Sequence, residues 1–497
     1  MIATGSPGGW TEEGRTVKRW KLSDLFLPAV WMALVAWRPF VLGFYHDDWS
    51  TIADFARHGA PFSAARFNAV LAVFAPRPIY ALFMVIVSSL LTANPFMWQC
   101  VCALLTLAVA HAIRRFVDVF TPTYKTPGLI AGVCWLALPT ALGSTVWPTT
   151  SGSLLAVFTF LVSARILLRS QAFEPGKYWP ALVLYAISIL TYETFYFQFL
   201  SVIALVWFSR ESRISRKQLL QCVVCFGSIQ TVALLWNRVA AHYLPSVSKS
   251  FAANWYLIFV GSFVRLPHQL FLAFREVAYP LAAVITLLVA IWCLSPLKHS
   301  FFAPVIAVFA AIMCTGVYAM AGYGLSSTGV FSRTFLGVGT WFCVGFGAIL
   351  GARRSATTLR SELALSAIFI VLCSIATIYR TMDWARSWQL QREIIASAPV
   401  GAFSHLPSGA LVLADVPAEV GGVTVFEAYW DITGALGGEI PFTVKREHEW
   451  ISTWNGTTLR QSWNDGTVLW DLAAKQLWVW RWPENTLTRI SSYGSVR

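Results

Sequence analysis

Residues 25–49 read LFLPAVWMALVAWRPFVLGFYHDDW, an apolar run that ends at Phe44 and is followed by two adjacent acidic residues, Asp47 and Asp48. The run has the length of a membrane-spanning helix, and only Arg38 and Pro39 interrupt it. Carboxylates at the edge of the hydrocarbon are costly and are usually tied to function. The sequence therefore predicts that the first outer loop carries the chemistry.

The composition fixes the class of protein. The chain of 497 residues is 57% hydrophobic and 12% charged, and its repeated apolar runs predict a polytopic helical membrane protein. The basic excess behind the net charge of +13 lies before residue 380. This basic excess indicates which loops are cytoplasmic and does not indicate nucleic-acid binding. All nine cysteines lie in apolar runs, which argues against a disulfide framework and favours packing roles.

The pattern of basic residues predicts the topology. Residues 1–22 are polar and basic, which places the N-terminus in the cytoplasm, and the first span is expected to remain as a signal anchor. About eleven spans are then expected, near residues 24–44, 96–113, 128–145, 152–168, 178–192, 194–209, 218–236, 277–294, 301–321, 334–351 and 362–379. The outer connections would include 45–95, 146–151, 193, 237–276 and 322–333.

The apolar stretch from Pro78 to Ala93 decides the sidedness of every later loop. If it crosses the membrane, the basic clusters that follow become external. If it is re-entrant or lies along the outer face, those clusters are cytoplasmic, which the positive-inside rule favours. A second surface or re-entrant helix is expected at 255–259.

After Tyr379 the composition changes, which predicts two domains: a transmembrane domain (1–379) and an extracytoplasmic domain (380–497). An amphipathic connector helix is expected first, then short strands with hairpin turns at 455–456 and 465–466. The second domain is thus predicted to be α/β or mostly β. Its many tryptophans could form a sugar-binding face, but we favour core or membrane-interface packing.

Further polar residues fall on the same outer side as the acidic pair. Arg77 closes the first loop, Tyr192 and Glu193 lie between two apolar runs, and Arg333 precedes the tenth span. Each also has a structural explanation: an Asp could cap a helix, an Arg could anchor to lipid headgroups, and Glu193 could pair with an Arg. His46 is expected to be a hydrogen-bonded neighbour rather than a metal ligand.

This set of residues suits transfer of a sugar from a lipid phosphate. An Asp could act as general base on an acceptor hydroxyl or stabilise oxocarbenium-like charge. Arginines could hold the phosphate leaving group through charge-assisted hydrogen bonds. The sequence predicts Asp47, Asp48 and Glu193 as catalytic residues, and substrate binding by His46, Trp49, Arg77, Tyr192 and Arg333.

The arrangement resembles the GT-C superfamily of membrane glycosyltransferases, and within it bacterial family 39-like or O-antigen-modifying members. The resemblance rests on the basic N-terminus, one span, a loop that opens with His46-Asp47-Asp48-Trp49, Arg77-Pro78, the Tyr192-Glu193 pair and a C-terminal outer domain. It implies a polyprenyl-phosphate-linked sugar as donor, a glycan, lipid or protein acceptor, and a location in the bacterial inner membrane with the C-terminal domain in the periplasm.

The resemblance also implies an essential acidic residue in the first loop, associated with acceptor activation or with a divalent cation such as Mg²⁺ or Mn²⁺. That role falls on Asp47 or Asp48, and the sequence does not rank them. Two adjacent carboxylates are an incomplete ligand set, so no metal follows from the residues themselves.

Three other classes of function remain open, of which one, a structural or assembly membrane protein, would not need the acidic pair. A polymerase or ligase of lipid-linked glycans would depend on Arg and His in large outer loops. A transporter or flippase would be expected to show internal repeats and charges near the bilayer midplane.

Overall fold

The computed structural model describes residues 22–497 apart from 122–124, 170–174, 210–214, 244–251, 295–301, 353–355, 408–409, 438–441, 445–450, 455–457, 464–465, 472–476, 491–493 and 496–497. The predicted basic N-terminus and both predicted hairpin turns, apart from Gly466, lie outside the described residues.

Helices form most of the described chain up to residue 397. They are α1 (Leu22–Leu34), α2 (Asp47–Ser50), α3 (Ile52–Arg57), α4 (Ala64–Phe74), α5 (Pro78–Leu91), α6 (Pro95–Phe120), α7 (Thr126–Ala137), α8 (Leu142–Val146), α9 (Ser151–Arg169), α10 (Pro175–Thr191), α11 (Phe199–Ser209), α12 (Arg216–Tyr243), α13 (Trp255–Phe274), α14 (Ala278–Leu294), α15 (Phe302–Met320), α16 (Leu336–Gly351) and α17 (Ala356–Ser397). Short 3₁₀ segments join them at Arg38–Phe40, Pro139–Ala141, Pro148–Thr150, Glu193–Phe195, Arg275–Val277 and Gly329–Phe335.

The helices confirm a polytopic membrane protein. Within the described residues, 7 helices are long and apolar enough to cross a membrane, or up to 8 if one bent pair counts as a single span. Five further apolar helices are shorter, and they include the predicted spans near 24–44, 178–192 and 194–209 and the stretch at Pro78–Leu91. The total of eleven spans therefore stays a prediction.

Prolines break two of the predicted spans. The first helix ends at Leu34, and the chain then forms a 3₁₀ turn that contains Pro39. The run predicted at 128–145 bends by 52° after Ala137, because Leu138 precedes Pro139 and takes an extended conformation. Both breaks leave irregular backbone next to the first loop, where side chains can converge.

The described residues of the segment 237–276 are mainly helical, which is more helix than the predicted outer connection with one surface or re-entrant helix contained, and its place outside the membrane stays a prediction. Helix α12 continues to Tyr243, and the expected surface helix at 255–259 is the first part of the 20-residue helix α13. Residues Trp255–Cys293 together form one of the candidate spans. The sequence does not reveal the length of this helix, because the aromatic residues at 255–259 are also typical of a membrane interface.

Helix α17 links the membrane region to the C-terminal region without a break. Its 42 residues correspond to about 60 Å at 1.5 Å per residue, twice the thickness of a hydrocarbon core. The connector helix expected after Tyr379 is therefore the second half of α17, and the proposed domain boundary at 379/380 falls within it. Buried Trp384, Ser387 and Gln391 on this half pack against the first loop and the C-terminal strands.

The C-terminal region is a small α/β unit, as its sequence predicts. It contains α18 (Val400–Phe403), α19 (Tyr429–Ala435) and strands β1 (Leu411–Asp415), β2 (Glu419–Val420), β3 (Val423–Thr424), β4 (Phe442–Val444), β5 (Ile451–Trp454), β6 (Thr458–Trp463), β7 (Gly466–Asp471), β8 (Leu477–Arg481), β9 (Thr486–Arg489) and β10 (Gly494–Ser495). One sheet has the order β4-β1-β8-β9, with β1 parallel to β4 and β8; a second has the order β10-β5-β6-β7. Antiparallel pairing of β5 with β6 and of β6 with β7 agrees with the predicted hairpins.

We expect a cysteine at Lys217 to resist a membrane-impermeant thiol reagent in intact cells and a cysteine at Glu484 to react. The positive-inside rule places the basic start of α12 in the cytoplasm, and both positions are exposed. Labelling before and after permeabilisation is the measurement, with the unmodified chain as control for the nine native cysteines. Reaction at 217 without reaction at 484 would reverse the topology.

Candidate active site

Asp48 connects the first loop to the 3₁₀ segment Pro148–Thr150, which directly precedes α9. One carboxylate oxygen, Oδ2, accepts the Tyr45 N–H at 2.8 Å. The other, Oδ1, accepts the Thr149 N–H at 2.7 Å and the Thr149 hydroxyl. The side chain is fully buried. Asp48 thus connects two segments that are 101 residues apart in the sequence. Helix capping would account only for its local hydrogen bond from Tyr45.

Burial sets the charge state of Asp48. Loss of hydration raises its pKa to about 8, although the hydrogen bonds from Thr149 and Tyr45 favour the charged form. When protonated, Asp48 can donate its proton to the Thr149 hydroxyl and keep both backbone bonds. A side chain with no exposed surface and with these bonds is poorly placed to touch a substrate.

Asp47 differs from Asp48 in both exposure and charge. Its side chain is 35% exposed, and its Oδ1 lies 2.7 Å from His46 Nδ1. Burial would raise the pKa of Asp47, but His46, Arg333 and Trp430 outweigh it and hold the pKa at about 2. Asp47 is therefore the ionised member of the pair that can meet a substrate.

His46 lies between two carboxylates. Its Nδ1 is 2.7 Å from Asp47 Oδ1, and its Nε2 is 3.8 Å from Glu427 Oε2. Burial would lower the pKa of His46, but the charge of Asp47 raises it. The residue has a φ of 45°, a conformation that non-glycine residues rarely adopt and that clusters at functional sites. The turn places Asp47 at the start of α2 with its side chain toward the C-terminal region.

The C-terminal region reaches this site directly. The Trp430 indole N–H donates to Asp47 Oδ1 at 3.0 Å, and the Trp430 ring meets His46 edge-on at 5.9 Å. Asp431 is buried and accepts the backbone N–H groups of Glu427 and Ala428. Asp431 thereby fixes the start of α19, which carries Trp430.

Arg333 faces the same space from the segment Gly329–Phe335. Its guanidinium lies over the rings of Trp147, Tyr323 and Phe331, at 4.9, 5.3 and 6.0 Å. No carboxylate lies within ion-pair distance of Arg333 in the part of the chain that the structure describes. Its positive charge nevertheless acts to lower the pKa of Asp47 and that of His46. Such a guanidinium, held by cation–π contacts, is open to an incoming anion.

Arg77 and Glu193 form an ion pair next to the Arg333 site. Arg77 Nε donates to both carboxylate oxygens of Glu193, at 2.8 and 2.9 Å, as the structural explanation of Glu193 anticipates. The Arg77 guanidinium also lies 4.6 Å from the centre of the Tyr192 ring. Tyr192 therefore packs against the Arg77–Glu193 pair.

Trp49 is the predicted substrate-binding residue that the structure turns away from the site. Its indole N–H donates to Gln391 Oε1 at 2.8 Å, and its ring stacks on Trp388 at 6.0 Å. It packs the first loop onto α17. A role in substrate contact is not supported by this position.

The acidic residues do not fit a divalent cation. Both oxygens of Asp48 accept hydrogen bonds, Asp47 Oδ1 already faces His46 and Trp430, and Arg333 adds positive charge. No group of three or more potential metal ligands occurs among the described residues. The cation suggested by the family resemblance therefore has no ligand set in this part of the chain, and no step below uses it.

Sequence reasoning misses several residues of the site. Trp147, Thr149 and Tyr323 lie in short segments that are predicted to be outside and whose sequences contain no chemical motif. Glu427 and Trp430 lie in a region predicted as a separate domain. The usable signals are the assignment of 146–151 and 322–333 to the outer side and the abundance of tryptophan in the tail.

Comparison with known proteins gives structural neighbours only. No protein-family model and no curated protein matches the chain. The crystal structure of ArnT from Cupriavidus metallidurans in the apo state is 11% identical, with a TM-score of 0.45 over 86% of this chain and 85% of that chain. The cryo-EM structure of arabinofuranosyltransferase AftD from Mycobacteria is 12% identical, with a TM-score of 0.45 over 85% of this chain and 32% of that chain. Because both TM-scores are below 0.5, we rest no functional argument on them.

We expect Asp48→Asn to destabilise the protein and Asp47→Asn to have a smaller effect. Whichever way the new amide at position 48 turns, its NH₂ group faces a backbone N–H, and an unsatisfied buried donor costs about 2 kcal/mol. Thermal unfolding of the detergent-solubilised protein would show a clearly lower Tm for Asp48→Asn. Equal Tm values for the two variants would contradict the structural role of Asp48.

Proposed function

We propose that the protein is a membrane glycosyltransferase that moves a sugar from a polyprenyl-phosphate donor to an acceptor hydroxyl. The observation that carries the proposal is that one site contains both an ionised, partly exposed Asp47 and Arg333, a guanidinium with no carboxylate within ion-pair distance in the described chain. A carboxylate for the sugar side and a cation for the phosphate side are the two charges that this reaction needs.

Arg333 is assigned to the donor phosphate. As the bond between the anomeric carbon and the phosphate oxygen breaks, the electron pair leaves with the phosphate, and a guanidinium stabilises that charge through bidentate hydrogen bonds. The rings of Trp147 and Tyr323 hold Arg333 in place and exclude water from one side. Arg77 stays neutralised by Glu193, so we assign this pair to shaping the site and orienting Tyr192.

Asp47 is assigned to the acceptor side. A carboxylate with a pKa of about 2 is a weak base, so its first role is to stabilise positive charge that develops on the sugar. The acceptor hydroxyl becomes more acidic as its oxygen bonds to the anomeric carbon, and its proton then passes to Asp47. A phosphate bound at Arg333 would offset the charge that lowers the pKa of Asp47, so donor binding itself would make Asp47 a better base.

The same proposal implies a location for the active site. The site would lie at the outer face of the bacterial inner membrane, with residues 380–497 outside and the donor lipid reaching the site from the bilayer. The partners would be a polyprenyl-phosphate sugar and a glycan, lipid or protein acceptor. The described residues of the site do not select a hexose over a pentose.

We expect Asp47→Asn to lower kcat by about a hundredfold or more, the range of a lost acid–base group. We expect Arg333→Gln to raise the KM for the donor, because it removes the phosphate contact. The measurement is release of polyprenyl phosphate by purified protein from a panel of polyprenyl-phosphate sugars with added acceptors. Arg392→Gln is the matched control, since Arg392 is exposed and its guanidinium lies over the Trp388 ring on α17.

The same assay separates the other classes of function. Full activity of both variants would overturn the site assignment. Donor binding with no turnover by the wild type would indicate that the acceptor is missing from the panel, whereas no donor binding at all would favour a transporter. Transfer of whole lipid-linked chains rather than single sugars would favour a polymerase or ligase.

A further inference from the structure

We propose that Trp430 of the C-terminal region is a positioning residue of the active site: its indole N–H holds Asp47 Oδ1 and so leaves Oδ2 to face the acceptor. The inference rests on the proposed function and deepens it, since it assigns part of the acceptor side of the site to a region that the sequence predicts as separate. Two features carry it, the bonds of Asp47 and the docking of α19.

The two oxygens of Asp47 have unequal surroundings. Oδ1 lies 2.7 Å from His46 Nδ1 and accepts the Trp430 N–H at 3.0 Å. Oδ2 has no partner among the described residues, and the side chain is 35% exposed. A carboxylate oxygen that accepts the Trp430 N–H and contacts the His46 ring cannot rotate freely away from them, so Oδ2 is the oxygen that can receive the acceptor proton.

Trp430 is itself held by close docking of α19 on the first loop. Arg57 donates to the Gly434 carbonyl at 2.5 Å. A side chain at Gly434 would meet the Trp49 carbonyl oxygen at 2.5 Å from its Cβ. The absence of a side chain at this position lets two backbones approach, and this approach sets the distance between Trp430 and Asp47.

The charges around Asp47 come from each segment that packs on it. Arg333 is positive, the raised pKa of His46 favours its charged form, Asp48 is buried next to Asp47 in the chain, and Glu427 and Asp431 belong to the C-terminal region. Trp430 is the uncharged donor in this group. Its loss removes one hydrogen bond from Asp47 without changing the net charge of the site.

Two experiments test the proposal, and the first does not depend on activity. In a double-mutant cycle on thermal unfolding, Trp430→Phe and Asp47→Ala are each expected to lower the Tm. The double variant is then expected to melt close to the lower of the two single variants, because both substitutions remove the same hydrogen bond. Strictly additive shifts would overturn the contact, whatever the protein's reaction.

The second experiment measures transfer from the polyprenyl-phosphate sugar that the panel identifies. Trp430→Phe is expected to lower kcat about tenfold, the worth of one charge-assisted hydrogen bond, with the donor KM unchanged. Trp430→His retains a ring N–H and is expected to recover part of that loss. Gly434→Ala should act like Trp430→Phe, because it pushes α19 away from Trp49.

Matched controls lie in the same region. Trp478→Phe removes an indole N–H that has no hydrogen-bond partner among the described residues, and Gly401→Ala adds a Cβ with no described atom within 4 Å. Both are expected to keep wild-type kcat. A changed donor KM with unchanged kcat in Trp430→Phe would overturn the positioning role. If the cycle shows coupling but no donor turns over, the proposed function and the catalytic role of Trp430 both fail, while the contact stands.

Discussion

The buried carboxylate of Asp48 is the constraint on which the site depends. It accepts hydrogen bonds from the backbone of Tyr45 on one side and from Thr149 on the other. These bonds fix the turn at His46, and that turn places Asp47 in front of Arg333 and Trp430. The two adjacent aspartates therefore have different roles: Asp48 fixes the backbone of the first loop, and Asp47 places a negative charge in the site. Because leaving the buried carboxylate of Asp48 without its hydrogen bonds would be costly, these bonds also fix the position of the partly exposed Asp47.

The sequence predicts more of the fold class than of the site. Apolar runs identify a helical membrane protein with a C-terminal α/β region, because hydrophobicity is a local property of the letters. The extent of the helices is predicted less well: the first helix ends at Leu34, before the turn that contains Pro39, and the aromatic residues at 255–259 begin a helix that is longer than expected. The acidic pair is also visible in the sequence, because carboxylates next to an apolar run are rare.

The partners of that pair could not be predicted. Thr149 lies 101 residues from Asp48, and Trp430 lies 383 residues from Asp47. Neither has a spacing or a motif that joins it to the first loop, and only the folded chain brings them together. The roles of Asp47 and Asp48 could not be ranked for a related reason: burial raises the pKa of Asp48 to about 8, whereas His46 and the distant residues Arg333 and Trp430 hold the pKa of Asp47 at about 2.

The distance in sequence between Asp47 and Trp430 has a consequence for biogenesis. A membrane protein is inserted as it is synthesised, so the first loop emerges long before α19 exists. During that interval Asp47 lacks its indole partner and the site is incomplete. Under the proposed function, a nascent chain that has not yet reached Gly434 would have the lowered kcat that we expect for Trp430→Phe.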